Sequence, residues 1–482
     1  MSDAPLSNAT MDDELFFAQR AAVFADQLGE QPYDLDEAFA WSRENARRGT
    51  ISSVLQHAKA TGTTAVVPRA GVASWEGQRD LMAALDAAGA GFLPITVDSL
   101  TRDLQFHEAR RRLAAGTPLN GYPIEAHGIE ATRRLISQFS KPVIIRANAV
   151  DLRIAAEAGL AGGGTAFVSG PLYATLEYSK KPTLAEGIRN WQYIFRLLGK
   201  YTEAGVPMAE DAVGFSQSGT CSVPSLQHVG VVIEALIMAG QGIKHVMLYS
   251  MLQGNLAQDV ASCRAVEILA REYLDRLGFT DVQTYVASSD WNGAFPTRHP
   301  DAYGLISANV IAAAIAGVPL NYVKTIDEGI GVPTAQSNAD SIRVSRWLFH
   351  LIGRQREAWR STPEVEFELN LNLLEARAML DAILDLGDGD PTVGVDRGLT
   401  LGVVDIPFSP NLHVKGNVLP VRDAAGAVRF LDYGQLPIPA EARKIEAERL
   451  ALRSPDVTAL GYQDVVADLR FLELDDPEPT HA

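Results

Sequence analysis

The sequence has little cysteine. Its 482 residues include only Cys221 and Cys263, and neither belongs to a CxxC pair. This scarcity argues against a structural zinc site and against a disulfide framework. A chain of this length buries an extensive core without such cross-links, so both cysteines are predicted to be small core residues in a reducing compartment.

Basic charge and long apolar runs are also scarce. The 42 Lys and Arg residues are outnumbered by 59 Asp and Glu residues, which gives a formal net charge of -17. This charge argues against nucleic acid or an anionic membrane as a partner, because both are bound mainly by neutralising phosphates. The acidic first residues do not resemble a signal peptide, and no stretch approaches about 18 uninterrupted apolar residues. We therefore expect a soluble, cytoplasmic protein.

Two common motifs of enzyme sites are missing. No GxGxxG turn follows the first predicted strand, which argues against a doubly wound nucleotide-binding sheet, although an open sheet of that kind remains the alternative fold. No GxSxG elbow accompanies the segment SQSGT at 216–220, so hydrolase chemistry is rejected.

Between about residues 51 and 345, short runs rich in Val, Ile and Leu alternate with segments of helical spacing. This alternation is typical of βαβ units around a parallel sheet. Nine strand candidates are one too many for a closed eight-stranded barrel, and the candidate at Asn120 is demoted to a loop because Gly121 and Pro123 interrupt it. The candidates are TTAVVPRAG from Thr63, FLPITVDS from Phe92, NGYPIEAHG from Asn120, PVIIRANA from Pro142, GTAFVSG from Gly164, MAEDAVGFS from Met208, HVMLYSML from His245, VQTYVASSD from Val282 and LNYVKTID from Leu320.

The sequence therefore predicts an α/β protein with a (β/α)8 TIM-type barrel at 51–345. A helical arm at 1–50 precedes the barrel, and a C-terminal α+β extension follows at 346–482. Active sites of such barrels are assembled at the carboxyl ends of the strands. Polar residues at those ends are therefore the first candidates for function.

Three arginines occupy such strand ends, namely Arg69, Arg102 and Arg146. Guanidinium groups bind carboxylates in a bidentate fashion and stay charged in partly desolvated sites. The implied ligand is a small dicarboxylate. The alternative is that each arginine pairs with a neighbouring acidic residue, and spacing alone leaves both interpretations open.

Several sequence blocks, in order from about residue 60 to 435, resemble those of the E subunit of coenzyme B12-dependent glutamate mutase, also called methylaspartate mutase. The blocks are PRAGVA around Arg69, FLPITVDSLTR ending at Arg102, LNGYP around Asn120, NWQYIFRLLGKYTEAGV from Asn190, VKTIDEGIGVPT around Lys324 and DIPFSPN, GNVLPVRD and GAVRFLDYG near the C-terminus.

The resemblance implies an isomerase that interconverts L-glutamate and 3-methylaspartate by a radical mechanism. It also implies a (β/α)8 barrel, adenosylcobalamin as the cofactor, and a separate small subunit whose DxHxxG motif supplies the lower cobalt ligand. A homodimer of this chain within a heterotetramer is implied as well. The barrel itself would hold the substrate and the radical in one geometry, because the cofactor supplies the difficult step.

The resemblance also assigns residues. Arg69, Arg102 and Arg146 match the arginines that hold the substrate carboxylates, and Tyr178 matches a tyrosine at the substrate. Positions beside the adenosyl group of the cofactor are matched by three further residues, Asn120, Lys324 and Glu328, and no metal ligand is assigned to this chain. Simpler interpretations exist: Asn120 could serve a turn, and Lys324 with Glu328 could form an ion pair at a helix start.

The chain departs from the family pattern at three positions. Val168 stands where the family has a glutamate that holds the substrate amino group, Ala174 stands at a tyrosine position, and Ala147 replaces a histidine. Valine cannot accept a hydrogen bond from an ammonium group, and a buried unpaired cation is costly. Either the substrate lacks the amino group, or Glu177 or Tyr173 replaces the glutamate, or the pairing of positions is shifted.

The segment NLHVKG, 411–416, resembles the cobalamin motif DxHxxG, with Asn for Asp. Only 66 residues follow it, and they contain no Gly-Gly pair, so we interpret His413 as a loop histidine and expect the cobalt ligand to come from another chain. A relative that binds a dicarboxylate or the small subunit without catalysis is the remaining alternative, because retained arginines indicate binding rather than turnover.

Overall fold

The structure is a computed structural model that describes residues 5–215 and 221–472. The segment SQSGT, which was rejected above as a nucleophile site, lies outside the described residues. In the described part, no helix combines the length and the apolar character that crossing a membrane requires.

Eight parallel strands form the central sheet of the described chain. Their order is β1-β8-β7-β6-β5-β4-β3-β2. The ring is closed between its end strands by two backbone hydrogen bonds, from Gly91 N to Val66 O at 2.9 Å and from Thr96 N to Ala70 O at 3.1 Å. The strands are β1 Ala65–Pro68, β2 Leu93–Thr96, β3 Val143–Arg146, β4 Ala166–Val168, β5 Ala209–Ala212, β6 His245–Met251, β7 Gln283–Ser289 and β8 Leu320–Val323.

The predicted TIM-type barrel is therefore confirmed, and each strand lies within one of the proposed segments. The strands are short and almost wholly buried, as expected where helices cover the outside of a parallel sheet. The demoted segment at Asn120 contains only an isolated bridge, between Val97 and Tyr122. It is a loop, as proposed, and it leads into the short helix Ile124–His127.

Helices precede the barrel, surround it and follow it. Before β1 lie α1 Asp13–Gln27, α2 Leu35–Ala46 and α3 Ile51–Thr61. Around the barrel lie α4 Trp75–Ala88, α5 Ser99–Arg102, α6 Phe106–Ala114, α7 Ile124–His127, α8 Ile129–Ile136, α9 Arg153–Ala161, α10 Leu184–Glu203, α11 Pro224–Gly240, α12 Leu256–Arg276, α13 His299–Ala316 and α14 Ala335–Gly353.

After the barrel come α15 Pro363–Leu386, α16 Pro391–Leu401, α17 Ala440–Arg453 and α18 Tyr462–Leu469, with an antiparallel pair of strands, β9 Val418–Arg422 and β10 Val428–Tyr433. A π-helical turn, Tyr173–Glu177, follows β4, and 3-10 turns lie at Arg356–Ala358 and Val457–Ala459.

A buried ion pair attaches the N-terminal arm to the barrel, and two further buried ion pairs lie within the C-terminal extension. Arg20 of α1 contacts Glu157 of α9 at 2.9 Å, and both side chains are almost fully buried. In the extension, Arg429 of β10 forms ion pairs with Glu368 of α15 and with Asp423. Buried charges persist only when they are paired and hydrogen-bonded, so these contacts fix how each end packs.

Candidate active site

A cavity of about 430 Å³ opens at the carboxyl ends of the strands. Its volume lies in the usual range for small-ligand sites. Six of the seven residues that the sequence singled out line it, and the seventh, Lys324, contacts one of those six. The six are Arg69, Arg102, Asn120, Arg146, Tyr178 and Glu328.

Arg69 follows β1 directly and extends into the centre of this cavity. Its side chain is exposed and lines the cavity. Burial opposes its charge, but the oxygens of Tyr249, Tyr173, Tyr178 and Glu328 raise its pKa above the ordinary value. Arg69 therefore stays cationic beside these side-chain oxygens.

Arg102 is placed by a short capped helix. The buried Asp98 carboxylate caps α5 by accepting the Leu100 and Thr101 N–H groups at 2.8 and 3.1 Å. Arg102 lies in the last turn of this helix, and its Nε donates to the carbonyl of Asp98 at 3.4 Å. The cap thus holds the arginine at the rim of the cavity.

Asn120 reaches the same rim because the next residue is a glycine. Tyr122 N donates to Thr96 O at 2.8 Å, which draws the Asn120 segment onto the end of β2. Gly121 has a φ of +114°, and a Cβ there would lie 2.7 Å from Thr96 O and 2.9 Å from Asp98 N. Only glycine permits this close approach.

Arg146 ends β3 and is 7% exposed. Its guanidinium carbon lies 4.3 Å from the ring centroid of Tyr322, and its Nη1 is buried without a hydrogen-bond partner in the described chain. Asp211 of β5 lies close by: burial raises its pKa to about 7, while Arg146 and Tyr322 lower it. A buried guanidinium nitrogen without a partner is the kind of group that a ligand satisfies.

The cavity is cationic. Among its described lining residues, the charged ones are the three arginines and Glu328. Glu328 is already paired, because its Oε1 lies 3.1 Å from Lys324 Nζ. Within the described ranges, no carboxylate forms an ion pair with any of the three arginines, so the alternative of neighbouring acidic partners receives no support.

Lys324 and Glu328 lie beside the arginines, in the segment after β8. Lys324 is 6% exposed and its pKa is lowered, first by burial, with Glu328 opposing and Arg69 adding to the shift. Its backbone N–H donates to Asp290 Oδ2 at 2.8 Å. The ion pair of the simpler interpretation is present, and its Glu328 lines the same cavity as the three arginines.

The loop after β4 forms another wall of the cavity. Tyr173 and Tyr178 both line the cavity, with their hydroxyl oxygens 3.1 Å apart. Ala174 and Glu177 lie on the same π-helical turn, but neither is among the described lining residues. Tyr173, and not residue 174, therefore brings the second phenol of this loop to the cavity.

A buried carboxylate on α11 holds this wall in place. Glu234 Oε1 accepts the N–H groups of Leu172 and Tyr173 at 2.9 and 3.3 Å, and Oε2 accepts those of Val213 and Gly214 at 2.8 and 2.7 Å. Burial raises the pKa of Glu234 to about 7, and these four bonds lower it. Glu234 thereby joins the loops that follow β4 and β5.

The rest of this wall is neutral. Val168 and Ala147 line the cavity, together with Asn148 and Ser169, whose side chains share a hydrogen bond of 2.7 Å. Val168 is paired in register with Arg146 on one side and with Asp211 on the other. The carboxylate of Asp211 is fully buried and is not among the described residues that line the cavity.

Sequence reasoning missed Asp211, Tyr249 and Glu234. Asp211 and Tyr249 lie inside strands. The alternation of side chains between the two faces of a strand could have indicated that both point into the barrel. Glu234 lies in the middle of an apolar helix, and such a charge in a run of buried positions is itself a signal of a specific partner.

The cobalamin-like segment lies outside the cavity. His413 is exposed, and its Nε2 is 3.2 Å from the carbonyl oxygen of Lys181. The described residues contain no cluster of His, Cys, Asp and Glu suited to a metal ion. These positions agree with the interpretation of His413 as a loop histidine.

Residues 46–473 match the family model described as methylaspartate mutase E chain (MutE). The chain belongs to this family. Similar curated proteins are named as glutamate mutase subunits, so the family is one of mutase subunits in the isomerase class. The expected resemblance is thereby confirmed.

Similar curated proteins carry the description glutamate mutase epsilon subunit. The protein from Desulfitobacterium hafniense (strain Y51) is 38% identical over 471 residues, which cover 96% of this chain and 97% of that protein. The protein from Escherichia coli O157:H7 is 32% identical, covering 93% and 94%. A truncated 3-deoxy-D-arabino-heptulosonate 7-phosphate synthase from Thermotoga maritima aligns with 62% of this chain and 89% of its own, at 11% identity and a TM-score of 0.35.

Proposed function

We propose that this chain is the substrate-binding, catalytic subunit of an adenosylcobalamin-dependent carbon-skeleton mutase. The first candidate reaction interconverts L-glutamate and 3-methylaspartate. The observation that carries the proposal is the meeting of Arg69, Arg102 and Arg146 in one cavity without an ion-pair partner among the described residues. Three fixed guanidinium groups match the two carboxylates of one small substrate.

The chain's own residues bind and orient the substrate. The arginines would hold both carboxylates, so that the carbon chain between them lies in a fixed position beneath the mouth of the cavity. Tyr173, Tyr178 and Tyr249 surround Arg69 and supply hydroxyl groups to the same space. Holding a reactant in one geometry lowers the entropic part of the barrier and restricts side reactions of a radical.

The residues at the mouth fit the adenosyl part of the cofactor. Asn120 and Glu328 are exposed at the rim, where they could bond to a base edge and to ribose hydroxyls, and Lys324 holds Glu328 in place. Ile330 and Val332 expose apolar surface beside them. The chemistry that adenosylcobalamin supplies when bound is the generation of a carbon-centred radical.

The proposal includes a partner. A small subunit with a DxHxxG motif would hold the cobalamin, and two copies of this chain would form the core of a heterotetramer. The family relatives are named as epsilon subunits, which supports a multi-subunit enzyme. His413 Nε2 already lies 3.2 Å from the carbonyl oxygen of Lys181, which supports a cobalt ligand from the partner rather than from this histidine.

A second candidate substrate is a dicarboxylate without an amino group. It is favoured by the charge of the cavity, whose only described lining carboxylate, Glu328, is paired with Lys324. Val168 and Ala147 offer no anion to an ammonium group. The two candidates share the arginine cavity and the cofactor, and they differ only in the substrate.

Reconstitution tests the proposal. The purified chain is combined with a DxHxxG cobalamin-binding subunit and adenosylcobalamin, and L-glutamate, 3-methylaspartate and amine-free dicarboxylates are supplied in turn. Rearranged product from either class supports the mutase. Dicarboxylate binding without turnover of any substrate would favour the non-catalytic relative instead.

A further inference from the structure

The segment NLHVKG belongs to a loop of the C-terminal extension that is closed by Asp405. The buried Asp405 carboxylate accepts the N–H groups of Gly416 and Asn417, at 2.8 and 2.7 Å. These bonds hold together the two ends of a loop of about ten residues, which is the construction of an Ω-loop. The loop therefore presents its side chains as one compact surface.

This surface contacts the π-helical turn after β4. Asn411 Nδ2 donates to the carbonyl oxygens of Thr175 and Pro182, at 2.9 and 3.1 Å, and Asn411 is 4% exposed. Ser409 Oγ donates to the carbonyl oxygen of Leu176 at 2.5 Å. Because buried carbonyl groups need donors, the extension completes the hydrogen bonding of this turn.

A π-helical turn is rare and is frequently found at functional sites. Here the turn is held at its start, because Glu234 accepts the N–H groups of Leu172 and Tyr173, and in its middle, because Asn411 donates to the carbonyl oxygen of Thr175. Tyr173 at the start of this turn and Tyr178 directly after it both line the cavity.

We propose that Asn411 is a positioning residue of the substrate site, which acts by holding the Tyr173 and Tyr178 hydroxyl groups beside Arg69. The inference gives a role to the segment that resembles a cobalamin motif, and it makes the C-terminal extension a part of the barrel's active site. It rests on the proposed function only in requiring that the arginine cavity binds a dicarboxylate.

The test measures binding of glutarate and L-glutamate to the purified full chain by isothermal titration calorimetry. Asn411→Asp keeps the size of the side chain but replaces its amide donor by an oxygen that faces two carbonyl groups. We expect the dissociation constant of the bound dicarboxylate to rise about tenfold, since two buried hydrogen bonds are lost. His413→Ala is the matched control in the same loop, and its dissociation constant should equal that of the wild type.

A double-mutant cycle separates positioning from general structural support. In a Tyr173→Phe and Tyr178→Phe background, Asn411→Ala should change the dissociation constant less than about twofold, because the groups that it positions are gone. An equal effect of Asn411→Ala with and without the hydroxyl groups would overturn the inference. So would unchanged binding by a folded Asn411→Asp chain.

Ser409→Ala removes one donor to the same turn and provides a milder variant if Asn411→Asp does not fold. It should weaken dicarboxylate binding in the same direction by a smaller factor, and unchanged binding would count against the inference. Absence of dicarboxylate binding by the wild-type chain would instead refute the proposed function, and the inference with it.

Discussion

Replacement of Val168 by glutamate tests how the cavity treats an amino group. Val168 lines the cavity at the end of β4 and is 6% exposed, so a carboxylate at this position would face a bound substrate. A charge-assisted bond to a substrate ammonium contributes on the order of 1.5 to 3 kcal/mol. Binding of L-glutamate should therefore improve roughly tenfold to a hundredfold.

The neighbours of Val168 determine what the variant does to other ligands. The strand register places Arg146 on one side of it and Asp211 on the other. A new carboxylate would compete with the substrate for Arg146 and would be repelled by an ionised Asp211. Glutarate has no amino group that could pair with the new carboxylate. It should therefore bind Val168→Glu no better than wild type, and less well where the new carboxylate pairs with Arg146.

The decisive quantity is the ratio of the glutarate and L-glutamate dissociation constants, measured by calorimetry on the chain alone. Val168→Glu should shift this ratio toward L-glutamate by about tenfold or more, whereas Val168→Gln, of similar size and without charge, should leave it nearly unchanged. An unchanged ratio in Val168→Glu would refute the reasoning. A wild-type chain that already prefers L-glutamate about tenfold would show that another group receives the ammonium.

Further outcomes follow from the site and from the buried carboxyl groups. Lysine in place of Arg69, Arg102 or Arg146 should weaken dicarboxylate binding about tenfold, because a point charge cannot form two parallel bonds; unchanged binding in all three variants would make these arginines structural. The chain alone should bind adenosylcobalamin weakly in equilibrium dialysis, and tight stoichiometric binding would contradict the need for a partner. Burial raises the pKa of Asp211 and Glu234 to about 7, above their unfolded values, so their contribution to stability is present at low pH and is lost as the pH rises through 7. The free energy of unfolding in urea should therefore fall between about pH 4 and about pH 7, and Glu234→Gln should flatten that dependence.

The barrel could be predicted because its strands are short, apolar and separated by helical segments. Once the strands were predicted, the arginines that follow them could be expected to meet, because the carboxyl ends of parallel strands lie on one face of the barrel. The prediction that the Asn120 segment is a loop and not a strand also followed from its local sequence. Gly121 and Pro123 interrupt a strand, and the structure shows why Gly121 is required there, at a point of close backbone approach.

The loop after β4 could not be predicted from spacing. Counting along the chain placed Ala174 at the position of a family tyrosine, but a π-helical turn changes which side chains share a face. Tyr173 lines the cavity and Ala174 does not. Asp211 was missed for a related reason, because the identity of its neighbours depends on the register between β4 and β5 rather than on its own surroundings in the sequence.

The contribution of the extension is still less visible in the sequence. Asn411 and Thr175 are separated by 236 positions, and nothing in either local pattern indicates that they meet. The family match, however, continues through residue 473 and so includes the extension as well as the barrel. A barrel needs no such addition to place three arginines on the face where its strands end. The extension is accounted for if its loop also has to hold the tyrosine turn, because a turn with unpaired buried carbonyl groups would not keep two hydroxyl groups beside Arg69.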